Sequence, residues 1–276
     1  MGAMTAPIVF DRRAVRLHRD RAAATVGRVA DLLQDCAERL LDRLDDTTRN
    51  FTRALDVGGR GVVAPLLRAR GIDVVSCDLS PRMAGINGGP CVAADEEWLP
   101  FAPGSFDLVV ASLSLHWVND LPGALIQLRQ ALQPEGLLLA SLPVLGTLGE
   151  LRTALMAEEA ASMDGVSPRV SPFPELRDLA ILLQRAGYTL PVADVETIEL
   201  LYADPLALLR DLRAAGEGNA IALRDRKTPA SALFGEALSA LPQVDGRTTA
   251  SLRLASMTGW APGQHSRLPI SGTGDS

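Results

Sequence analysis

The sequence predicts an α/β protein built on a doubly wound, mostly parallel sheet of seven strands. Short apolar segments alternate with amphipathic helical segments through the first half of the chain. Strands that are separated by helices pair in parallel through right-handed crossovers. A glycine-rich turn follows the first apolar segment, and such sheets bind ligands beyond the carboxyl ends of their strands. These observations together predict the fold class and the edge of the sheet at which a site should lie.

Each strand is assigned from a short apolar run bounded by turn residues, and each helix from apolar residues at three- and four-residue steps. The predicted strands are 53–58, 73–78, 91–94, 106–114, 137–143, 192–202 and 248–260. The predicted helices are 21–45, 61–70, 120–132, 147–163 and 174–187.

The chain is expected to form one domain over residues 21–260 with a helical insertion at 203–247. The insertion separates the last two strands and is too long for a hairpin, so we expect a lid or a substrate-side subdomain. Residues 1–20 are expected to form a solvated, partly helical arm, in which residues 1–4 resemble a remnant of cloning. Residues 261–276 are rich in Gly, Ser and Pro and are expected to be disordered.

Composition limits the classes of function. The chain has 276 residues, with 27 basic and 33 acidic side chains and a net charge of −6, which disfavours a nucleic-acid partner. No apolar run reaches the roughly 18 residues of a membrane-spanning helix, so a membrane-spanning protein is not expected. The three cysteines, Cys36, Cys77 and Cys91, lack the spacing of a metal site or a disulfide framework, and no metal is expected. A cytoplasmic setting is expected.

The first two predicted strands end in residues suited to a nucleoside. Gly58, Gly59 and Gly61 follow the first strand, where absent side chains let backbone N–H groups approach a ligand. Asp78 ends the second strand about twenty residues past the glycines, where a carboxylate can accept both hydroxyls of a ribose. The neighbouring Leu79 is included among the cofactor-binding candidates. Together these residues predict a nucleoside cofactor.

The third strand is followed by the stretch ADEEWLPF. Its first acid, Asp95, is placed to accept a hydrogen bond from an adenine amino group, and Glu96 is a further binding candidate. Trp98 and Leu99 are expected to wall the adenine ring. This stretch therefore extends the predicted site towards the base.

The fourth strand is followed by SLSLHWVND, which places three further candidates at the mouth of the site. Ser112 is a cofactor-binding candidate. His116 and Trp117 are the catalytic candidates, with a role in recognising substrate at the lip of the site. An aromatic pair that only closes the core at this point is an equally good interpretation.

Several of these stretches resemble the class I S-adenosylmethionine-dependent methyltransferases, which have a Rossmann-like fold. Within that superfamily the chain is most similar to the mitochondrial complex I assembly factors of the protein-arginine hydroxylase type and their bacterial relatives, over roughly residues 8–260. A more distant resemblance is to the malonyl-carrier-protein methyltransferases of biotin synthesis. The stretches are ALDVGGRG, CDLS, ADEEWLPF, SFDLVVASLSLHWVNDLPGAL, LQPEGLLLASL, GELR, SPRVSPFPELRDLAILLQRAGY and LLRDLRAAGEGNA.

The resemblance implies S-adenosylmethionine as the cofactor. It implies that Asp78 binds the ribose, that Asp95 binds the adenine, and that the three glycines serve the methionine end with Ser112 beneath it. Two departures from the family pattern border this pocket. The glycine turn is one residue shorter than in the family, and the connection from Asp78 to Asp95 is shorter by several residues. They imply that adenosine contacts are kept while the methionine half is crowded.

Two functions stay open at this point. The first is an enzyme that binds S-adenosylmethionine and modifies a small-molecule or protein acceptor under the lid, by methyl transfer or by arginine hydroxylation. A subunit of a respiratory complex is one such acceptor. The second is a binding or assembly module that has kept the fold and has a weakened cofactor pocket.

Overall fold

A computed structural model of the chain describes residues 8–162, 167–225 and 231–263. Its centre is a sheet in the order β3-β2-β1-β4-β5-β8-β6, with a short β7 paired to β8. The first five strands pair in parallel, whereas β8 runs antiparallel to both β5 and β6. The strands are β1 Arg53–Val57, β2 Asp73–Asp78, β3 Cys91–Ala93, β4 Phe106–Ser112, β5 Leu132–Pro143, β6 Thr189–Tyr202, β7 Gln243–Val244 and β8 Arg247–Trp260. The predicted fold class is confirmed, and β7 is an addition to it.

Helices cover both faces of the sheet. They are α1 Arg12–Ala22, α2 Ala30–Leu41, α3 Val63–Ala69, α4 Pro81–Gly85, α5 Leu121–Ala131, α6 Gly149–Ser162, α7 Leu176–Arg185, α8 Pro205–Ala214 and α9 Ser231–Ser239. Neighbouring residues of β1 point to opposite faces, as a pleated strand requires. Ala54 packs with α2 and α3, and Leu55 packs with α5 and α7. The sheet is therefore covered on both sides, which is the doubly wound arrangement.

The N-terminal region differs from the expectation. The segment expected to be a solvated arm contains α1, which begins after Asp11, whose side chain accepts from the N–H of Ala14. Val15 and Arg19 of this helix are buried. The single helix predicted over 21–45 is interrupted by a 3₁₀ turn at Val26–Val29 before α2 begins. Glycine and β-branched residues at this point favour the break over a continuous helix.

The insertion between β6 and β8 contains α8, α9 and β7. Its helices pack against α6 and β8 through a separate apolar cluster that includes Leu151, Leu208 and Ala237. It therefore builds a second small core beside the sheet. No helix in the described ranges is long and apolar enough to cross a membrane. The predicted tail lies outside the described residues from residue 264 onward, as do residues 1–7.

Candidate functional site

The glycine turn after β1 lies against the ends of β2 and β4. Gly58 has a φ of +68°, a conformation that glycine adopts without the penalty other residues meet. A Cβ added to Gly58 would lie 2.6 Å from the Cβ of Ser114 and 3.7 Å from Oδ2 of Asp78. The turn therefore needs glycine here, and it brings the exits of three strands together.

Asp56, the acid just before the glycines, supports the turn from below, and sequence reasoning did not single it out. It is buried, and the hydroxyl of Ser76 donates to its Oδ2 at 3.2 Å. A Cβ on Gly59 would lie only 2.2 Å from its Oδ1. Burial raises the pKa of Asp56 to about 7. Its position beneath the turn makes Asp56 a structural support of the site.

Asp78 is a buried carboxylate at the exit of β2, with 1% of its surface exposed. Its Oδ1 accepts from the N–H of Ser80 at 2.7 Å. Its Oδ2 has no hydrogen-bond partner among the described residues, although Nη1 of Arg19 forms an ion pair with it at 3.5 Å. Burial raises the pKa of Asp78, and the charge of Arg19 opposes that rise. One oxygen of this acid is thus open to a further donor.

Two arginines of α1 neutralise the acids at this edge, and together they form the α1 cluster. Arg19 is fully buried and donates to Glu96 at 2.6 Å and to the carbonyl of Ser114 at 3.2 Å. Arg12 donates to Asp95 at 2.6 Å and also bonds Glu96. Burial acts to raise the pKa of Glu96, but Arg19 and Arg12 hold it below its usual range. The α1 cluster consists of Arg12, Arg19, Asp78, Asp95 and Glu96.

Sequence reasoning missed both arginines of the α1 cluster, because arginines in this segment were assigned to a solvated arm. A signal was present. Arg12 and Arg19 are seven residues apart, which is two helical turns and places them on one face. An arginine pair on one face of a capped helix is therefore an indication of buried acidic partners, once a sheet edge rich in acids is predicted.

The remaining predicted binding residues lie at the same edge with different surroundings. Leu79 packs against a small apolar cluster that contains Val15 and Trp117. The hydroxyl of Ser112 lies 3.4 Å from that of Ser141 on β5. Trp98 is 81% exposed, because the tight turn that returns its N–H to the carbonyl of Asp95 directs the ring outward. In this structure Trp98 does not form the predicted wall of an adenine site.

His116 and Trp117 lie in a 3₁₀ turn after β4 and converge on Glu217 of the insertion. Nε2 of His116 and Nε1 of Trp117 lie 2.8 and 2.7 Å from Oε2 of Glu217, and Arg60 bonds its Oε1. Burial acts to raise the pKa of Glu217, but His116 and Arg60 hold it well below its usual range. Both His116 and Trp117 are also buried, so they close the core and bind this carboxylate at once.

We call Arg60, His116, Trp117 and Glu217 the Glu217 cluster. Arg60 also donates to the carbonyl of Leu113 at 2.9 Å. Arg60 and Leu113 have φ values of 49° and 51°, in the left-handed region that non-glycine residues rarely adopt. Strained backbone of this kind is concentrated at functional sites. Both strained residues lie next to the glycine turn or the exit of β4.

A cavity of about 600 Å³ lies next to the Glu217 cluster, and all four residues of the cluster line it. Its apolar walls come from α2, α6, α8 and the segment before α7, and include Leu33, Leu151, Leu208 and Phe173. A pocket that is mostly apolar and contains a few polar groups is typical of small-molecule and side-chain binding sites. Within the described ranges, no group of three or more His, Cys, Asp and Glu residues could hold a metal ion.

Comparison with known proteins supports a relationship to methyltransferases. A family model described as a methyltransferase domain matches residues 22–191. The chain is 35% identical to a zebrafish (Danio rerio) protein named arginine-hydroxylase NDUFAF5, mitochondrial, over 92% of this chain and 83% of that protein. It is also 35% identical to the malonyl-[acyl-carrier protein] O-methyltransferase of Laribacter hongkongensis, over 97% of this chain and 95% of that protein.

A solved structure shares the fold at low identity. It is a Haemonchus contortus phosphoethanolamine N-methyltransferase in complex with phosphomonomethylethanolamine and S-adenosylhomocysteine. The TM-score is 0.55 at 16% identity, over 90% of this chain and 60% of that one. At this identity the likeness shows the fold alone.

S-adenosylmethionine is the cofactor that the family indicates, and the residues present fit it. Oδ2 of Asp78 accepts no hydrogen bond from the described residues and is suited to a ribose hydroxyl, and it lies beside Gly58, where a Cβ would fill the space. The family model covers more than half of the chain, and the two relatives are matched over most of their length. The chain therefore belongs to the class I S-adenosylmethionine-dependent methyltransferase family.

Proposed function

We propose that this protein binds S-adenosylmethionine at the exits of β1, β2 and β4 and modifies an acceptor that enters the adjoining cavity. The observation that carries the proposal is the open Oδ2 of Asp78 beside Gly58 and Ser114. Arg60, which belongs to the same glycine turn as Gly58, lines that cavity. A cofactor site and an acceptor site that adjoin in this way suit group transfer, because reaction requires the two reactants to be aligned.

The proposed roles of the binding residues follow the family resemblance, and the position of these residues at the sheet edge supports them. Asp78 holds the ribose, and Asp95 binds the adenine once Arg12 turns away from it. Gly58, Gly59 and Gly61 let the chain pass close to the methionyl end. In this proposal Leu79 and Ser112 border the pocket. Glu96, which is bound by Arg12 and Arg19, positions the edge of the site.

When bound, S-adenosylmethionine supplies an electrophilic methyl group. The chain's part is to orient the acceptor, to exclude water with the apolar walls of the cavity, and to hold charge with buried groups. His116 and Trp117 are proposed to act in recognition, because both direct a ring N–H at a carboxylate in the wall of the cavity. We propose a protein side chain as the acceptor, in line with the resemblance to the complex I assembly factors, and a respiratory complex subunit is the candidate protein.

A second function, a binding or assembly module without catalysis, is favoured by one specific observation. The acids proposed to bind adenosine are already neutralised by Arg12 and Arg19. A protein that had ceased to bind cofactor would gain stability from such pairs. The cytoplasmic setting expected from the sequence stays a prediction, because the arginine-hydroxylase relatives are mitochondrial.

Isothermal titration calorimetry with S-adenosylhomocysteine tests the proposal on the wild type and on Asp78→Asn. The near-isosteric amide is used because Asp78 is buried, so that truncation to alanine would disturb packing as well as charge. We expect micromolar affinity for the wild type, about 8 kcal/mol, and at least about tenfold weaker binding by the variant.

Asp73→Asn is the matched control, since Asp73 begins the same strand and is exposed. Equal affinities for the wild type and Asp78→Asn would remove Asp78 from the site. No heat from any of the three proteins, each shown to be folded by circular dichroism, would favour the module without catalysis.

A further inference from the structure

The Glu217 cluster has the composition of a carboxylate-binding site. A guanidinium, an imidazole N–H and an indole N–H all point at one carboxylate, that of Glu217. Hydrogen bonds in which the donor or the acceptor is ionised are about twice as strong as neutral ones, and here the acceptor is a carboxylate. Its three donors come from the glycine turn and the exit of β4, which are parts of the sheet edge, while the carboxylate comes from the insertion.

Two buried nitrogens of the cluster have no hydrogen-bond partner among the described residues. They are Nε of Arg60 and Nδ1 of His116. Both side chains are 2% exposed, and both line the cavity. The cavity therefore holds polar capacity beyond what Glu217 uses.

Glu217 is also the most accessible member of the ion pairs that it forms. Its side chain is 18% exposed, against 2% for Arg60 and for His116. It lies between Gly216, which has a φ of +80°, and Gly218. A carboxylate on this segment can leave by rotation of its side chain, whereas the donors are fixed by the sheet edge.

We propose that Arg60, His116 and Trp117 form a binding site for a free carboxylate group of a ligand, and that Glu217 is its internal occupant. This inference rests on the proposed function for the identity of one ligand. The carboxylate has two sources, the methionyl end of the cofactor beside the glycine turn or an acceptor within the apolar cavity. In either case ligand binding displaces Glu217.

Calorimetry with two adenosyl ligands tests the first source. S-adenosylhomocysteine carries the carboxylate, and methylthioadenosine lacks it. With Glu217→Gln we expect affinity for S-adenosylhomocysteine to rise by about tenfold, which is about 1.4 kcal/mol, and affinity for methylthioadenosine to be unchanged. With Arg60→Gln we expect the affinity for S-adenosylhomocysteine to fall relative to that for methylthioadenosine. Arg60→Lys keeps the positive charge and should retain part of the wild-type preference for S-adenosylhomocysteine.

The ratio of affinities is measured on one preparation, so a fraction of unfolded protein affects both ligands alike. Glu199→Gln and Arg82→Gln are the matched controls, because each removes one charge from an exposed position. Neither control should change the ratio.

Octanoate and octanol test the second source in the same variants. A preference for octanoate that grows with Glu217→Gln and falls with Arg60→Gln supports an acceptor carboxylate. If neither ligand pair shows a dependence on Glu217 and Arg60, the carboxylate site is overturned, even where S-adenosylhomocysteine binds. If no adenosyl ligand binds and octanoate shows the dependence, the carboxylate site stands and the proposed cofactor function fails.

Discussion

The α1 cluster and the Glu217 cluster both join charged groups of the sheet edge to charged groups of another segment, but the sheet edge supplies opposite charges in the two. In the α1 cluster the sheet edge supplies the acids, and a helix outside the sheet supplies Arg12 and Arg19. In the Glu217 cluster the sheet edge supplies the cation and the N–H donors, and the insertion supplies the carboxylate. The edge is therefore acidic at one end and basic at the other.

This difference indicates what kind of ligand would replace the covering groups. An acidic end accepts hydrogen bonds from hydroxyl and amino groups, and a basic end binds a carboxylate. A ligand with a nucleoside at one end and an amino acid at the other has that order of groups. The polarity of the edge thus supports both the proposed function and the proposed carboxylate site.

The two clusters also differ in depth, and this predicts the largest effect. Arg19 and Glu96 are both almost fully buried, whereas Glu217 is partly exposed. Removal of one partner of a buried pair leaves an uncompensated charge and costs about 3–5 kcal/mol. We expect Glu96→Ala to lose a free energy of unfolding in that range, measured by urea denaturation, and Glu217→Ala to lose less.

Glu199→Ala is the control for the alanine substitutions, because Glu199 is exposed. An equal loss of free energy of unfolding for Glu96→Ala and Glu217→Ala would contradict the expectation that the more deeply buried pair contributes more. So would a loss for Glu96→Ala no greater than that of the control.

An effect of intermediate size is expected on the pH dependence of the free energy of unfolding, which tests the charge of Glu96 in the α1 cluster. Because the arginines hold the pKa of Glu96 below its ordinary value of 4.5, its ionised form stabilises the folded state. That contribution is present above about pH 4.5 and is lost as the pH falls through the lowered pKa. The free energies of unfolding of the wild type and Glu96→Gln, measured by urea denaturation, should therefore differ most near neutral pH and become similar in acid.

Asp56 and Asp78 have raised pKa values and change stability in the opposite sense. Both are present in the two proteins, but the charge of Glu96 contributes to the raised pKa of Asp78, so the difference between the proteins includes the coupling of Glu96 to Asp78. If the difference in free energy of unfolding between the wild type and Glu96→Gln grew as the pH falls, Glu96 would not be the ionised partner of Arg19.

The smallest effect is expected at an exposed ion pair outside both clusters. Arg43 bonds Asp194 of β6 at 2.6 Å, and the side chain of Asp194 is half exposed. Exposed pairs contribute at most about 1 kcal/mol, because water and salt screen them. Asp194→Asn should change the free energy of unfolding by no more than this, and the change should shrink in about 0.5 M NaCl, because salt screens interactions between exposed charges.

Much of the fold could be predicted because its signals are local. Apolar runs between turn residues predicted β2 with its observed bounds, and the insertion predicted at 203–247 contains the helix α8. The Asp204 side chain caps that helix, followed by proline at its first position. Gly58 and Asp78 were placed at the exits of β1 and β2 from the same local signals, and they do meet there. Their binding roles stay predictions.

The clusters could not be predicted in the same way. Arg19 and Glu96 are 77 positions apart, and His116 and Glu217 are 101 apart. The spacing of Arg12 and Arg19 places them on one helical face, but it does not identify the distant acids with which they pair. The arginines of α1 were therefore assigned to a solvated arm, and Glu217 fell within the insertion with no role assigned to it.

The alternation of strands and helices, the glycine turn and the acids at the strand ends are readable in the amino-acid sequence, since they depend on steric and apolar preferences of neighbouring residues. Which charges meet at the sheet edge, and that the edge is acidic at one end and basic at the other, depends on the tertiary fold. Burial makes an unpaired charge costly, and the ion pairs of both clusters join segments that are distant in the sequence.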